Sequence, residues 1–500
     1  MKKQLIRPVK RISALLTAFI LIACIFPQKL TPKAEKQEEI VLRVCSWEEY
    51  IDEGDWGEEE VIDLPSGDIF GENSMLEDFE SWYEETYGQK VRVEYSTFGT
   101  NEDLYNMLTL GDVFDLVCPS EYLIMKLMAE GMTYPLSEAF FDESIEENYY
   151  IKGVSPFIRN MFEEHEVNGE KWSRYAAGFM WGVTGFVYNP EVLTHEEAST
   201  WRLLEDSTYR RQMTIKDNVR DSYFAAVGAV KSDLLLSEKF RSDPDYPALL
   251  EEEMNDVSAE TIEKVQDYLQ SVKDNLYSFE TDSGKADMIT GKVVANYQWS
   301  GDAVYTMDQA DEEDYTLCFA VPEESTDIYF DGWVMLKSGI EEDPDKQQAA
   351  EAFINFLSRP DNAIRNMYYI GYTSAISGGD DPRIFEYLNW NYGAEEGEEN
   401  TVLYSVGHFF TEDEEKKADY VFEVPEEQLY RQLGAQYPSE EVLERGCIMR
   451  YFDAEVSEET NKMWIRVRCF NLHDIPVWAW VLGGAGILFA AALFLQGRRR

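Results

Sequence analysis

The run Ile40-Val41-Leu42-Arg43-Val44-Cys45 is aliphatic enough to predict a buried strand, and the polar stretch Ser46-Trp47-Glu48-Glu49-Tyr50 marks its end. After an acidic insertion, Gly54 to Asn73, Ser74 and Glu77 make a capping box. Phe79, Trp82 and Tyr83 carry one apolar helical face behind it, and Gly88 stops that helix. Val91, Val93 and Tyr95 alternate with Arg92 and Glu94 as a half-buried strand, and Asn101 is placed to cap a helix with Leu104, Met107 and Leu108 inward. Phe114 to Cys118 predicts the next strand, ending at Pro119-Ser120-Glu121-Tyr122, with a helix from Leu123 to Glu130 after it. Strand and helix units alternating at this length predict an α/β layer with a largely parallel sheet.

A second such unit follows the extended, glycine-bearing segment Phe179 to Asn189. Met213-Thr214-Ile215 leads into Lys216-Asp217-Asn218-Val219-Arg220-Asp221, and an acidic loop from Asp233 to Asn255 precedes a helix built on Ile262, Val265, Leu269 and Val272. Val293 to Gln298 predicts a strand ending at Trp299-Ser300-Gly301-Asp302, and Ile328 to Leu336 has the same form. Ala349 to Ser358 predicts a helix stopped by Pro360.

In open α/β sheets, ligands sit beyond the carboxyl ends of the strands. Here five predicted strand ends carry an aromatic ring, a carboxylate or both: Trp47 to Tyr50, Ser120 to Tyr122, Asp217 to Asp221, Trp299 to Asp302 and Tyr329 to Asp331. Each alone is an ordinary strand end. Together they match one ligand chemistry, because a buried carboxylate needs a cation and flat aromatic walls shield the methylenes between two ammonium groups. Those are the demands of a polyamine.

Charge and targeting narrow this further. Lys and Arg total 44 against 96 Asp and Glu, and eight of the basic residues lie in Lys2 to Arg11 and Arg498 to Arg500, which leaves the body near −60. Such a field repels nucleic acid and gathers cations. Five basic residues ahead of the apolar run Ile12 to Phe26 have the layout of a secretory signal, and Leu21-Ile22-Ala23-Cys24 resembles a bacterial lipoprotein signal in which Cys24 is lipidated. A plain signal peptide or an uncleaved anchor remains open. Ile475 to Leu495 is uncharged over 21 residues and closed by three arginines, which predicts a transmembrane helix with the body on the outer face. Six cysteines rule out a disulfide scaffold; Cys45 and Cys118 at strand ends are either a pair or two buried thiols. No two of the four histidines have metal-ligand spacing, and no zincin, P-loop, GxSxG or dinucleotide motif occurs. Neither a metal, a cofactor nor a catalytic residue is expected.

The order Ser46-Trp47 with Tyr50, Pro119-Ser120 with Tyr122, Trp181-Gly182-Val183-Thr184 running to Tyr188-Asn189, Trp299-Ser300-Gly301-Asp302, and Phe353-Ile354-Asn355-Phe356-Leu357 with Arg359-Pro360-Asp361 resembles the bacterial spermidine/putrescine-binding proteins of ABC importers. The resemblance covers residues 40 to 375 and, more loosely, continues to 470. It implies an α/β, two-lobed periplasmic-binding-protein fold of type II with mixed sheets, crossing strands and the ligand in the interlobe cleft, plus the C-terminal transmembrane helix. On that scheme residues 1–27 are the signal or lipoprotein-type segment and 475–495 the membrane helix. Residues 40–180 form the first lobe, with 331–372 returning to it; residues 181–330 form the second, with 373–470 returning.

Carried over position by position, the resemblance makes Trp47, Glu48, Tyr50, Ser120, Tyr122, Asn218, Asp221, Trp299, Tyr329, Asp331 and Tyr372 the ligand-binding set. Asp331 matches the central carboxylate. Asn218 stands where the family has an Asp and Tyr329 where it has a Trp, so one end of the cleft lacks a charge. The function implied is an extracytoplasmic receptor that captures polyamines and hands them to permease and ATPase subunits on other chains. The same fold holding another cationic or amino compound is the alternative. A carboxylate-based hydrolase using Glu48 and Glu49 is the weakest reading, since strand neighbours point to opposite faces.

Overall fold

The computed structural model describes residues 38–469 apart from 58, 59, 341 and 342. The expected signal segment with Cys24 and the expected transmembrane helix 475–495 lie outside the described residues. Among the described residues no helix is long and apolar enough to cross a membrane.

Eight strands position the candidate site: β1 Ile40–Trp47, β2 Val91–Phe98, β3 Leu116–Val117, β4 Ala176–Tyr188, β5 Met213–Lys216, β6 Leu276–Glu280, β7 Ala295–Trp299 and β8 Thr326–Leu336. They are joined in the order β2-β1-β3-β8-β4-β7-β5-β6. The first three are parallel, as are β7, β5 and β6, whereas β8 runs antiparallel to both β3 and β4, and β7 antiparallel to β4. The sheet is therefore mixed, with two parallel triplets stitched together by two long antiparallel strands.

β4 explains the stitching. All thirteen of its residues are buried, so it reads as a continuous apolar run rather than an alternating one. Ala176 to Val183 face β8, and Thr184 to Tyr188 face β7. Midway along this pairing the register shifts between Asp331 and Gly332, because Met180 opposes Asp331 and Gly178 opposes Gly332, with Phe179 of β4 left over. A bulge of this kind bends the strand and re-aims its side chains. Asp331 on β8 lies opposite that bulge and is bridged also to Ser120.

Two hydrophobic clusters form the interior. The larger holds Leu42, Val44, Phe79, Leu116, Trp172, Trp181 and Phe353. The smaller holds Phe186, Trp201, Ile215, Phe224, Val265 and Tyr297. The segment 373–470, expected to return to the second lobe, divides between them: Ile384, Tyr404, Phe409, Phe422 and Tyr437 join the larger cluster, and Cys447, Met449, Met463 and Val467 the smaller. Gly446–Cys447 adds to the start of β8, and helix Ala454–Arg468 packs on helix Ala259–Val272.

Several local expectations meet corrections. The Ser74–Glu77 capping box and the left-handed Gly88 stop are present as expected. Thr100, not Asn101, caps the helix Asn101–Leu110, which frees the Asn101 amide for other partners. Pro360 does not merely end the helix Pro344–Leu357; it opens the next one, Pro360–Ile370, where its missing N–H costs nothing. The expected acidic loop 233–255 is largely helical, as Ser232–Leu235, Glu238–Arg241 and Tyr246–Met254, because Leu235, Phe240, Leu250 and Met254 find places in the smaller core. Cys45 and Cys118 are buried free thiols.

Candidate functional site

Asp331 is the centre of the candidate site. It is buried, yet among the described residues no lysine or arginine pairs with it within salt-bridge distance. The Tyr50 phenol donates to its Oδ2 at 2.5 Å, and the Ser120 hydroxyl donates to its Oδ1 at 2.7 Å. Burial pushes the Asp331 carboxyl up to about 6, against the opposing effect of Tyr50, Ser120 and the Trp47 indole. Each carboxylate oxygen has a second lone pair, so a cationic donor can bind without displacing either hydroxyl.

The hydroxyls are aimed by a residue that sequence inspection took for a helix cap. Asn101 is buried; its Nδ2 donates to Ser120 Oγ at 3.0 Å and to the Tyr122 oxygen at 2.9 Å, and its Oδ1 accepts from the Ser120 backbone N–H at 3.1 Å. With its oxygen already accepting, Ser120 is left to donate, and it donates to Asp331. An Asn that follows a Thr at a helix start is the available signal, since only one of the two can be the cap.

Aromatic rings line the neighbourhood. Tyr50 meets Tyr372 edge-on at 5.1 Å between centroids, and Tyr329 meets Tyr372 at 6.2 Å. Tyr329 shares its oxygen with Ser300 at 3.3 Å, and the Tyr372 phenol donates to Asp302 Oδ1 at 3.1 Å. Two glycines make this packing possible. A Cβ on Gly182 would meet Ser300 Oγ and the Tyr329 phenol, and one on Gly301 would meet the Tyr372 ring.

A second group lies at the end of β5 and β7. Asn218 caps helix Val219–Val230 by accepting from the Asp221 N–H at 2.8 Å, and its amide N–H₂ donates to the Asp221 carboxylate. Trp299 Nε1 donates to the other Asp221 oxygen at 3.2 Å. Burial raises the Asp221 pKa, opposed by Asn218, Lys216, Trp299 and Arg220. Arg220 is buried with its guanidinium 4.7 Å from the Tyr122 ring centroid and 3.5 Å from that of Phe452. Lys216 lays its ammonium 3.9 Å from the Trp299 ring centroid. Asn101, Arg220 and Lys216 are the residues that sequence inspection left out of the site.

Of the eleven expected ligand residues, the structure joins Tyr50, Ser120, Tyr122, Tyr329, Asp331 and Tyr372 through shared hydrogen bonds or ring contacts, and it joins Asn218, Asp221 and Trp299 into the second group. Trp47 is half-buried and packed at a tilt on Phe98, 4.6 Å between ring centroids, and its indole acts on the Asp331 carboxyl. Glu48 stands exposed on the turn after β1, where Glu49 takes a φ of 51°, and is outside both groups. A surface hollow of about 420 Å³ elsewhere is lined by Trp82, Phe356 and three arginines, but Arg359, Arg365 and Arg383 are each paired to aspartates.

A mixed α/β sheet crossed by two long strands, with buried carboxylates and aromatic rings gathered at its strand ends, is an architecture of solute-binding proteins. The chain belongs to the family of bacterial extracellular solute-binding proteins, whose sequence profile matches residues 74–384. It is 24% identical over 284 residues to the spermidine/putrescine-binding periplasmic protein of Salmonella typhimurium, an overlap of 56% of this chain and 70% of that one. It is 22% identical over 282 residues to the putrescine-binding periplasmic protein SpuD of Pseudomonas aeruginosa, covering 54% and 68%. Among solved structures, the spermidine/putrescine substrate-binding protein PotD of Streptococcus pneumoniae superposes with a TM-score of 0.54 at 21% identity, covering 86% of this chain and 98% of that one. The Tp0655 lipoprotein of Treponema pallidum gives 0.54 at 17%, covering 86% and 99%. These likenesses establish the periplasmic-binding-protein fold.

Proposed function

We propose that this chain is the extracytoplasmic receptor of a polyamine importer, capturing putrescine or spermidine and delivering it to permease and ATPase subunits on other chains. The observation that carries this is Asp331, a buried carboxylate met by the neutral donors Tyr50 and Ser120 and surrounded by aromatic rings. An ammonium donated to it forms a charge-assisted hydrogen bond in a low-dielectric setting, and the rings add cation–π attraction. The names of the relatives in Salmonella typhimurium and Pseudomonas aeruginosa support the same ligand class. In this reading Trp47, Tyr50, Ser120, Tyr122, Tyr329, Asp331 and Tyr372 hold one amine, and Asn218, Asp221 and Trp299 face the other end of the ligand. The two hydrophobic clusters are then the two lobes, closing on the amine through β4 and β8.

A thermal-shift panel tests it. Ligand that binds only the folded state stabilises by RT ln(1 + [L]/Kd), about 2.7 kcal/mol at a hundredfold excess over Kd. Putrescine and spermidine should raise the melting temperature while butane-1,4-diol, of similar length and uncharged, should not. An equal response to the diol, or none to the amines, would overturn the reading.

The apolar run 475–495 with its arginine tail, and Cys24 if acylated, would tether the receptor to the outer face of the membrane. Removing residues 475–500 should release the protein unless the N-terminus also holds it. Full retention on the membrane with no lipid label on Cys24 would contradict this anchorage.

A further inference from the structure

The Trp299 ring and the Asp302 carboxylate, two features fit to hold a ligand's second ammonium, are already in use by a lysine of this chain. Lys216 closes β5 with a side chain only 2% exposed. Its Nζ lies 3.9 Å from the Trp299 ring centroid, donates to the Thr281 carbonyl at 3.3 Å, and stands 3.8 Å from Asp302 Oδ2. Its charge also acts on Asp221, whose carboxylate receives the Trp299 indole N–H. Asp302 is shared further, with Lys285 at 3.5 Å and the Tyr372 phenol at 3.1 Å. At the other end, Asp331 accepts from the Tyr50 and Ser120 hydroxyls and has no ion-pair partner among the described residues.

A buried ammonium is costly unless countercharged, and two ammoniums on one aromatic face repel. An external cation arriving at Trp299 must therefore displace Lys216 or share its carboxylates with it. One arriving at Asp331 meets no such competitor among the described residues.

Building on the polyamine reading above, we infer that Lys216 is a specificity-determining residue: its ammonium occupies the second amine position on Trp299, so the cleft recognises one external ammonium, at Asp331, and gains little from another. A ligand's far end is then read as a chain to be shielded by rings and not as a charge.

The test is calorimetric titration of putrescine and of 4-amino-1-butanol, which has similar length and a single ammonium, against wild type, Lys216→Met and Lys216→Gln. The wild type should bind the two ligands within about threefold of each other, and both variants should favour putrescine by about tenfold or more, as expected for one new charged pair. The ratio is taken within one protein, so a partial loss of folded material cancels. A wild type that already prefers putrescine a hundredfold, or variants whose ratio equals that of wild type, would overturn the role of Lys216 and leave the polyamine reading standing. Failure of all three proteins to bind either amine would overturn both.

Discussion

Tyr50 and Asp331, 281 positions apart in sequence, are joined by a 2.5 Å hydrogen bond from phenol to carboxylate. The bond ties the end of β1 to β8 at the point opposite the β4 bulge, and so links the first strand of the chain to one of the two strands that cross between the parallel triplets. It also fixes the chemistry of the candidate site. A neutral donor steadies the carboxylate without cancelling its charge, leaving it able to pair with a cation.

The protonation of Asp331 should therefore be visible in ligand binding. Burial holds its carboxyl up at about 6, against an unfolded value of about 3.9. Because the folded form keeps its proton more tightly, the stability this group contributes is complete below about pH 4 and is lost as pH rises through about 6. Amine binding runs the other way, since it needs the ionised form. From pH 5 to pH 7.5 the affinity for putrescine should rise about tenfold in wild type. The rise should be smaller in Asp331→Asn, where Asp221 is left as a binding-site carboxyl with a raised pKa. Calorimetry at the two pH values checks it; equal rises would place the titrating group elsewhere.

Asn218 should set the response to a third amine. Its amide caps a helix and donates to Asp221, so Asn218→Asp preserves the cap, removes that donor and adds a like charge beside a buried carboxylate. Putrescine and spermidine should bind the wild type within about a decade of one another, and the variant should gain selectively for spermidine. A wild type preferring spermidine by about a hundredfold, unchanged in the variant, would contradict this.

Arg365 should matter for stability rather than binding. Its guanidinium, almost fully buried, donates twice to Asp52, at 2.6 and 2.9 Å, and once to Asp78 at 2.7 Å, while its Nη2 also reaches the Asn73 carbonyl. It thereby fastens the acidic insertion and the helix Met75–Tyr87 to the helix Pro360–Ile370. Arg365→Met strands the buried Asp52 carboxylate, and removing one partner of such a pair costs about 3–5 kcal/mol. Denaturant unfolding of wild type and variant measures it, and a loss under about 1 kcal/mol would show that the Gly54 N–H and Trp56 indole suffice for Asp52.

Much of this was legible in the chain because strand ends are written locally. Ser46 to Tyr50, Pro119 to Tyr122, Trp299 to Asp302 and Tyr329 to Asp331 each follow an apolar run, and alternation with helical periods predicts the layered fold. What could not be read depends on pairing between distant segments. The leftover Phe179 that puts a bulge in β4 opposite Asp331 arises only when β4 and β8 are laid side by side. Asn101 looks like a cap until Thr100 takes that place. The helices at 232–254 are rich in acid and short, so their few apolar residues give too brief a period to detect before a core receives them. Lys216 resembles any charged strand end, and only the fold places it on Trp299.

The most direct test of the whole scheme is titration of putrescine into wild type and Asp331→Asn side by side at pH 7.5. A hydrogen bond to a charged group contributes about 1.5 to 3 kcal/mol, so wild type should show saturable binding and the variant should bind roughly one to two decades more weakly while keeping its fold. Binding within twofold of wild type by the variant, or no saturable binding by the wild type, would contradict the assignment of Asp331 as the amine's partner.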